Sequence, residues 1–368
     1  MSLDFIRKQF GDYYAKNAVE IPDLRHREFG FGVEDKIDFR HKAFASQEDL
    51  NNYLAREAPL YASYSAAHYG LPEARPMQRK NFLGADLVFD IDAPSQKTEH
   101  AHNDLLCRVC LDAVKNDAIR LYEDFLLGDF GFSQKDVEVN FSGQKGFHFH
   151  VRGENVQQLS ANARRQLVDY LQGPPVEKLL FESRKVLRGP ASEAKGWGGK
   201  LYSQARRFLA TASLEELRKK GLRGQTTLSV FENRAFVLRK MAEGNWDAVK
   251  GLHSLWEKVL EETRSQHAVV VDGAVSFDTA RLIRLPDSLH GSTGFIAKKI
   301  ARLQAFAVDD ALAFSKEKTI NVACDKNLEF ELGGRVFESA EGKPVELPLF
   351  AGLFLLCKKR AKLVLGEA

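Results

Sequence analysis

The 368-residue chain is 44% hydrophobic and 28% charged, enough to bury one large core or two smaller ones. Its 53 lysines and arginines face 50 acidic residues, and the net charge of +3 is too mild to announce nucleic acid binding by itself. Four cysteines exclude a disulfide framework and fit a reducing cytosol. The opening Met-Ser-Leu-Asp-Phe-Ile-Arg-Lys lacks the apolar core of a signal peptide. The longest apolar stretch, Leu347 to Cys357, contains Pro348 and is far short of a membrane span. A cytoplasmic protein without a membrane partner is expected.

Up to about Leu60 the pattern predicts helices over Ser2–Asn17 and Gln47–Glu57, with short strands around Phe29–Phe44. Next comes Leu87-Val-Phe-Asp-Ile-Asp92, a buried-strand pattern interrupted by two carboxylates. Strand side chains alternate faces, so Asp90 and Asp92 emerge together. Two like charges that close raise one another's pKa, and a divalent cation removes the conflict. The alternative is a strand edge with two solvated aspartates. Cys107 and Cys110 have the two-residue gap of a zinc knuckle, with His100 and His102 a few residues upstream. A redox Cys-x-x-Cys is the rival, though nothing thioredoxin-like surrounds it.

Val137, Val139 and Phe141 alternate with polar residues before Ser142-Gly-Gln-Lys-Gly146, and Phe147, Phe149 and Val151 alternate with His148 and His150 after it. This predicts a hairpin or bent strand pair with Ser142, His148 and His150 on a shared polar face. Gly143 and Gly146 let backbone N–H groups approach an anion, and Lys145 adds a charge. The competing reading is a plain hairpin turn with surface histidines. His150, farther from the loop, reads as a substrate contact or a structural histidine.

From about 155 to 265 the texture becomes helical, in runs such as Ala161–Leu171, Ser213–Lys220 and Trp246–Arg264, around a glycine-rich loop at Gly196-Trp-Gly-Gly199. Basic residues cluster here at Arg184, Lys185 and Arg188, at Arg206 and Arg207, and at Arg218, Lys219, Lys220 and Arg223. Then Ala268-Val-Val-Val-Asp272 reads as another apolar strand delivering an aspartate. Arg281 and Arg284 follow, one turn apart if helical, before Pro286 and the Gly-bounded His290. Asp278 reads as a helix N-cap. Strands near Thr319–Val322 and Asn327–Phe337 are expected to complete the sheet, with a C-terminal helix over Leu347–Leu365. Three carboxylates with basic residues and histidines suit phosphoryl or nucleotidyl transfer, in which two cations roughly 3.5–4 Å apart clamp the attacking and leaving oxygens.

Phe-Asp-Ile-Asp, then Ser-Gly-x-x-Gly-x-His, then Asp272 nine residues before Arg-Leu-Ile-Arg-x-Pro-x-Ser-Leu-His-Gly resembles the catalytic small subunit of the archaeal-eukaryotic DNA primases, in its archaeal version. The likeness runs from about Arg27-Glu28-Phe29 to Gly294. It implies a mixed α/β (α+β) catalytic core over 1–368, with a zinc-knuckle insertion at 95–115 and a helical insertion at 155–265. Asp90, Asp92 and Asp272 match the family's metal-binding aspartates, for two Mg²⁺ or Mn²⁺ ions. Ser142, His148, Arg284 and His290 match contacts to the incoming nucleotide's phosphates, and Gly143, Lys145, Gly146 and Arg281 belong to the same stretches. Glu28 and Arg40 resemble positions concerned with nucleotide placement. Gln144-Lys145, where some relatives carry two basic residues, and Ser292, where a lysine often follows the histidine motif, depart from the pattern.

Primases of this type often carry a structural zinc at the cysteine pair, which implies His100, His102, Cys107 and Cys110 as ligands; Asp104 or Cys324 could replace a histidine. The implied activity is template-directed primer synthesis from nucleoside triphosphates on single-stranded DNA, alongside a large-subunit partner. The basic clusters could line a template path, or be solvated helix faces. A stand-alone repair primase-polymerase, a metal-dependent phosphohydrolase and a non-catalytic zinc-containing DNA-binding subunit are the alternatives.

Overall fold

A computed structural model describes residues 2–34, 37–93, 105–183 and 186–364. The chain forms two compact units, one from Met1–Ile119, Ser133–Arg165 and Val271–Ala368, the other from Arg120–Phe132 and Gln166–Val270.

The first unit is mixed α/β. Its three-stranded antiparallel sheet runs in the order Leu87–Asp92, Gly146–Val151, Val137–Phe141. Leu87, Val88, Phe89, Phe141, Phe147 and Phe149 are buried in it. The register sets Asp90 opposite His148 and Asp92 opposite Gly146. A second antiparallel sheet has the order Leu282–Arg284, Tyr61–Ser65, Phe29–Gly32, Phe39–Lys42. Arg284 pairs there with Ser63, so the 281–284 segment is a strand and not the helical turn its arginine spacing suggested. Asp278 correspondingly caps no helix N-terminus: its carboxylate accepts from Ala280 N at 3.1 Å, beyond the end of the Gly273–Phe277 helix.

The Leu87–Asp92 strand is pinned at its start by Asp86, 1% exposed. Asp86 accepts from Arg27 Nη2 at 2.6 Å and lies 2.9 Å from His68 Nε2. Arg27 also donates to the carbonyls of Ser65 and Ala66, and Arg164 donates to those of Ala85 and Asp86. Burial alone would raise the Asp86 carboxyl. The His68 hydrogen bond and the Arg27 charge outweigh it and hold the group down to about 2.

Three expectations need correction. The 268–272 segment is not a strand: Val269 is buried, Val270 is 72% exposed, and no partner strand pairs with it among the described residues. The strands Thr319–Cys324 and Leu328–Leu332 do not extend the central sheet. The first pairs with Pro344–Pro348 and Ala361–Leu363; the second forms a hairpin with Arg335–Ser339 across Gly333-Gly334, whose positive φ values suit a tight type I′ turn. The C-terminal helix covers only Leu349–Cys357, all nine residues buried. Lys359, at φ 58°, turns the chain out of the helix and into the Ala361–Leu363 strand.

The second unit is helical and gathers all three tryptophans. Trp246 and Trp256 meet edge to face at 5.0 Å, and each indole N–H finds a carbonyl: Trp197 that of Tyr170, Trp246 that of Pro190, Trp256 that of Trp246. Its sequence bounds differ from the expected 155–265, because the π-helix Leu121–Asp129 joins it by packing Phe125 against Trp197 and Tyr170.

Candidate active site

A polar pocket of about 320 Å³ opens in the first unit. Asp90 and Asp92 enter it from one face of their strand. Asp272 arrives from the far end of the sequence, anchored by Asp272 N–H donating to Asp90 O at 2.9 Å, while Ser276 Oγ donates to Val88 O at 2.6 Å. The Asp272 carboxylate accepts from Ala274 N at 3.0 Å and pairs with Arg281 Nη1 at 3.2 Å. It is thus turned toward its own helix and Arg281. Among the described residues, no three His, Cys, Asp or Glu side chains close around one point as a finished metal cage.

The donor set nonetheless fits a hard divalent cation. Asp90 Oδ1 is buried without a hydrogen-bond partner; His148 Nε2 lies 3.4 Å away in poor geometry. Burial, reinforced by the charge of Asp272, pushes the Asp90 carboxyl up to about 7. Burial and the Asp90 charge raise Asp92 as well. Two carboxylates that resist ionisation beside a third suit oxygen ligation of a cation.

The opposite wall is cationic or hydrogen-bond donating. Arg284 lies over the Tyr61 ring at 5.3 Å, and burial pushes its pKa down only to about 10, so it stays charged. Burial, then the Arg284 charge, keep His290 neutral. Ser292 N–H donates to His290 Nδ1 at 3.2 Å, which makes Nδ1 the acceptor and leaves the proton on Nε2. Burial lowers His148 to about 4.

The Gly-x-x-Gly loop is wound around Ser142. Its Oγ accepts from the backbone N–H groups of Gln144, Lys145 and Gly146 at 3.0–3.3 Å, so the Ser142 hydroxyl proton has to be donated elsewhere. The amides expected to face an anion therefore face Ser142. Gly143, at φ +81°, lies so near His290 that a Cβ would stand 2.8 Å from the His290 Cβ. At Gly146 a Cβ would collide with Asp92 Oδ1 and Ile91 O. Gly146→Ala is expected to displace the Asp92 carboxylate and lower activity by about a hundredfold, since ångström misplacements cost on that order. Steady-state kinetics check this; activity within twofold of wild type would contradict it.

The other expected residues fall in three groups. Lys145 does not line the pocket, but its charge reaches Asp92. Neither Glu28 nor Arg40 lines it. Glu28 is fully buried, accepts from Arg40 Nε at 3.1 Å and sits 3.4 Å from the buried Lys80 Nζ, while Arg40 Nη2 donates to Ala280 O, next to Arg281. Cys107 and Cys110 lie one turn apart at the start of the Arg108–Arg120 helix; His100, His102 and Asp104 lie outside the described residues. Cys324 is buried on its own strand.

His150 does not line the pocket. The Gly146–Val151 strand is buried on both faces, because Tyr64 from the second sheet covers the face predicted to be polar, 3.3 Å from His150 Nδ1. Sequence reading missed Ser63 and Gln144, which line the pocket. Ser63 gives no local signal; only its register opposite Arg284 brings it in.

A mixed α/β unit with three aspartates against arginine and histidine donors suits phosphoryl or nucleotidyl transfer. The profile of the DNA primase small subunit family matches residues 89–301, a span holding all three aspartates, the glycine loop and His290. Similar along nearly the whole chain is the DNA primase small subunit PriS of Methanothrix thermoacetophila, 34% identical over 96% of this chain and 97% of the relative. PriS of Methanocella arvoryzae is 32% identical over 97% of both chains, and that of Archaeoglobus fulgidus 30% identical over 96% of both. The chain belongs to the DNA primase small subunit family. No described helix is long and apolar enough to cross a membrane.

Proposed function

We propose that this chain synthesises primers on a single-stranded DNA template in the cytoplasm, joining nucleoside triphosphates with release of pyrophosphate, as the catalytic partner of a primase large subunit. The observation that carries the reading is the unpartnered, buried Asp90 oxygen facing a wall of phosphate donors. Asp90, Asp92 and Asp272 would hold two Mg²⁺ or Mn²⁺ ions. When bound, such ions neutralise charge on the reacting phosphate and make the attacking 3′-hydroxyl more acidic. The chain's own groups do the rest. The Ser142 hydroxyl and the His290 Nε2–H donate to phosphate oxygens, Arg284 supplies fixed charge as pyrophosphate departs, and Arg281 orients Asp272. Glu28 holds Arg40 against the Ala280 carbonyl beside Arg281, and the pair would help to place the nucleotide. A structural zinc on Cys107 and Cys110, completed by His100 and His102, is part of the same reading.

Labelled ATP or dATP, an unprimed single strand and Mn²⁺ test it. Template-dependent ladders with pyrophosphate release support it. Template-independent release of phosphate or nucleoside monophosphate would replace it with the phosphohydrolase reading.

The raised Asp90 carboxyl gives a pH signature. Between its unfolded value and about 7 the folded chain holds a proton that the unfolded chain has lost, so cation-free stability falls as pH rises through that window. A cation must displace the same proton. The Mn²⁺-induced rise in Tm should therefore be larger at about pH 8 than at about pH 6, and Asp90→Asn should shrink the difference. Equal shifts in wild type at both pH values would contradict it.

A further inference from the structure

The helical unit carries a surface that the transfer chemistry does not use. From Arg218 to Lys240 the chain holds seven basic residues and a single acidic one, Glu232, although the whole chain is only +3. This stretch forms the end of the Leu214–Lys219 helix and the helices Gly224–Glu232 and Arg234–Ala242. Leu228, Phe231 and Phe236 remain exposed on it at 37%, 39% and 41%. Each phenyl ring has an arginine at its face: Arg234 at 4.9 Å from Phe231, Arg239 at 5.5 Å from Phe236. Arg234 also donates to the carbonyls of Ala210 and Ala212, tying this surface to the end of the Gly196–Thr211 helix that bears Arg206 and Arg207. Lys219, Lys220 and Lys240 pair with Glu215, Glu262 and Glu243, whereas Arg206, Arg207, Arg218 and Arg223 make no ion pair among the described residues.

Exposed rings alone would suit a protein partner, and charge alone a duplex backbone. Together they match a single strand, which offers phosphates for arginine and unstacked bases for aromatic faces. We propose that this surface binds single-stranded nucleic acid, with bases against Phe231 and Phe236 and phosphates along Arg206, Arg207, Arg218 and Arg223. That the strand is the template rests on the primer-synthesis reading; the binding itself does not.

The test uses the full chain with a fluorescent oligo(dT) in chelator, read by anisotropy across a salt series. The double variant Phe231→Ala, Phe236→Ala should bind about tenfold or more weakly. Arg218→Glu with Arg223→Glu should weaken binding and flatten the logarithmic salt slope by about one unit or more. Asp92→Asn should bind as wild type does. Because all four substituted side chains are exposed, unchanged Tm separates lost contact from lost fold. Wild-type affinity in both surface variants would overturn the proposal, and the more so if they instead lose a purified large subunit, which would mark a protein-docking face. If wild type makes no primers yet the variants lose the strand, the proposal stands and the primer-synthesis reading falls.

Discussion

Asp92→Asn is expected to lower primer synthesis by about a thousandfold or more, since loss of a metal-bound carboxylate forfeits several kcal/mol of transition-state stabilisation. Asparagine keeps the shape that fits against Gly146, so the strand register and the glycine loop have no reason to move. It also removes a carboxylate whose own ionisation burial and the Asp90 charge oppose. The cation-free variant should therefore melt no lower than wild type, and somewhat higher at neutral pH. Zinc content should stay at that of wild type; a wild-type chain without zinc would remove the knuckle from the reading. Extension of an unprimed strand at more than about a tenth of the wild-type rate would end the assignment of Asp92 to the reaction.

Asp86→Ala should have the largest effect on stability, about 3–5 kcal/mol, because it strands buried charge. Arg27 is fully buried, and its Nη2 has Asp86 as its ionic partner; His68 and Arg152 lose the same carboxylate. Asp86 is held well below its unfolded value. Its contribution is present above the ordinary aspartate range and disappears as pH falls toward about 2, so the variant's deficit should shrink in acid. Tryptophan fluorescence is the wrong probe, since Trp197, Trp246 and Trp256 all belong to the second unit. Amide exchange in the Leu87–Asp92 strand reports the right region, and unchanged protection there would contradict the prediction. Adding Arg27→Met should recover part of the loss.

Alternation made the central strands legible. Val137, Val139 and Phe141 on one side of the glycine loop and Phe147, Phe149 and Val151 on the other fall where the ladder pairs them. The helix Gln47–Glu57, with Ser46 as its cap, also lies where its pattern put it. Alternation fails where both faces of a sheet are covered, as at His150, whose apparently polar face meets Tyr64. It also misleads at 268–272, where β-branched residues run without a partner strand among the described residues, and at Arg281 and Arg284, whose helical spacing falls at the two ends of the Leu282–Arg284 strand. Ser63 and Lys80 were invisible for another reason. Ser63 reaches the pocket only through register with Arg284, and Lys80 is buried beside Glu28, a contact between segments that no local pattern encodes.

The bond from Ser276 to Val88 closes a separation of 188 residues. A ribosome that has delivered Asp90, Asp92 and the glycine loop has still to make Gln166–Val270, most of the helical unit, before Asp272 exists. A half-made chain is thus a sheet with two mutually repelling carboxylates and no third to complete them. If Asp272 serves the reaction as proposed, a truncated product ending between Ala242 and Val270 would be inert while still containing the helices around Phe231.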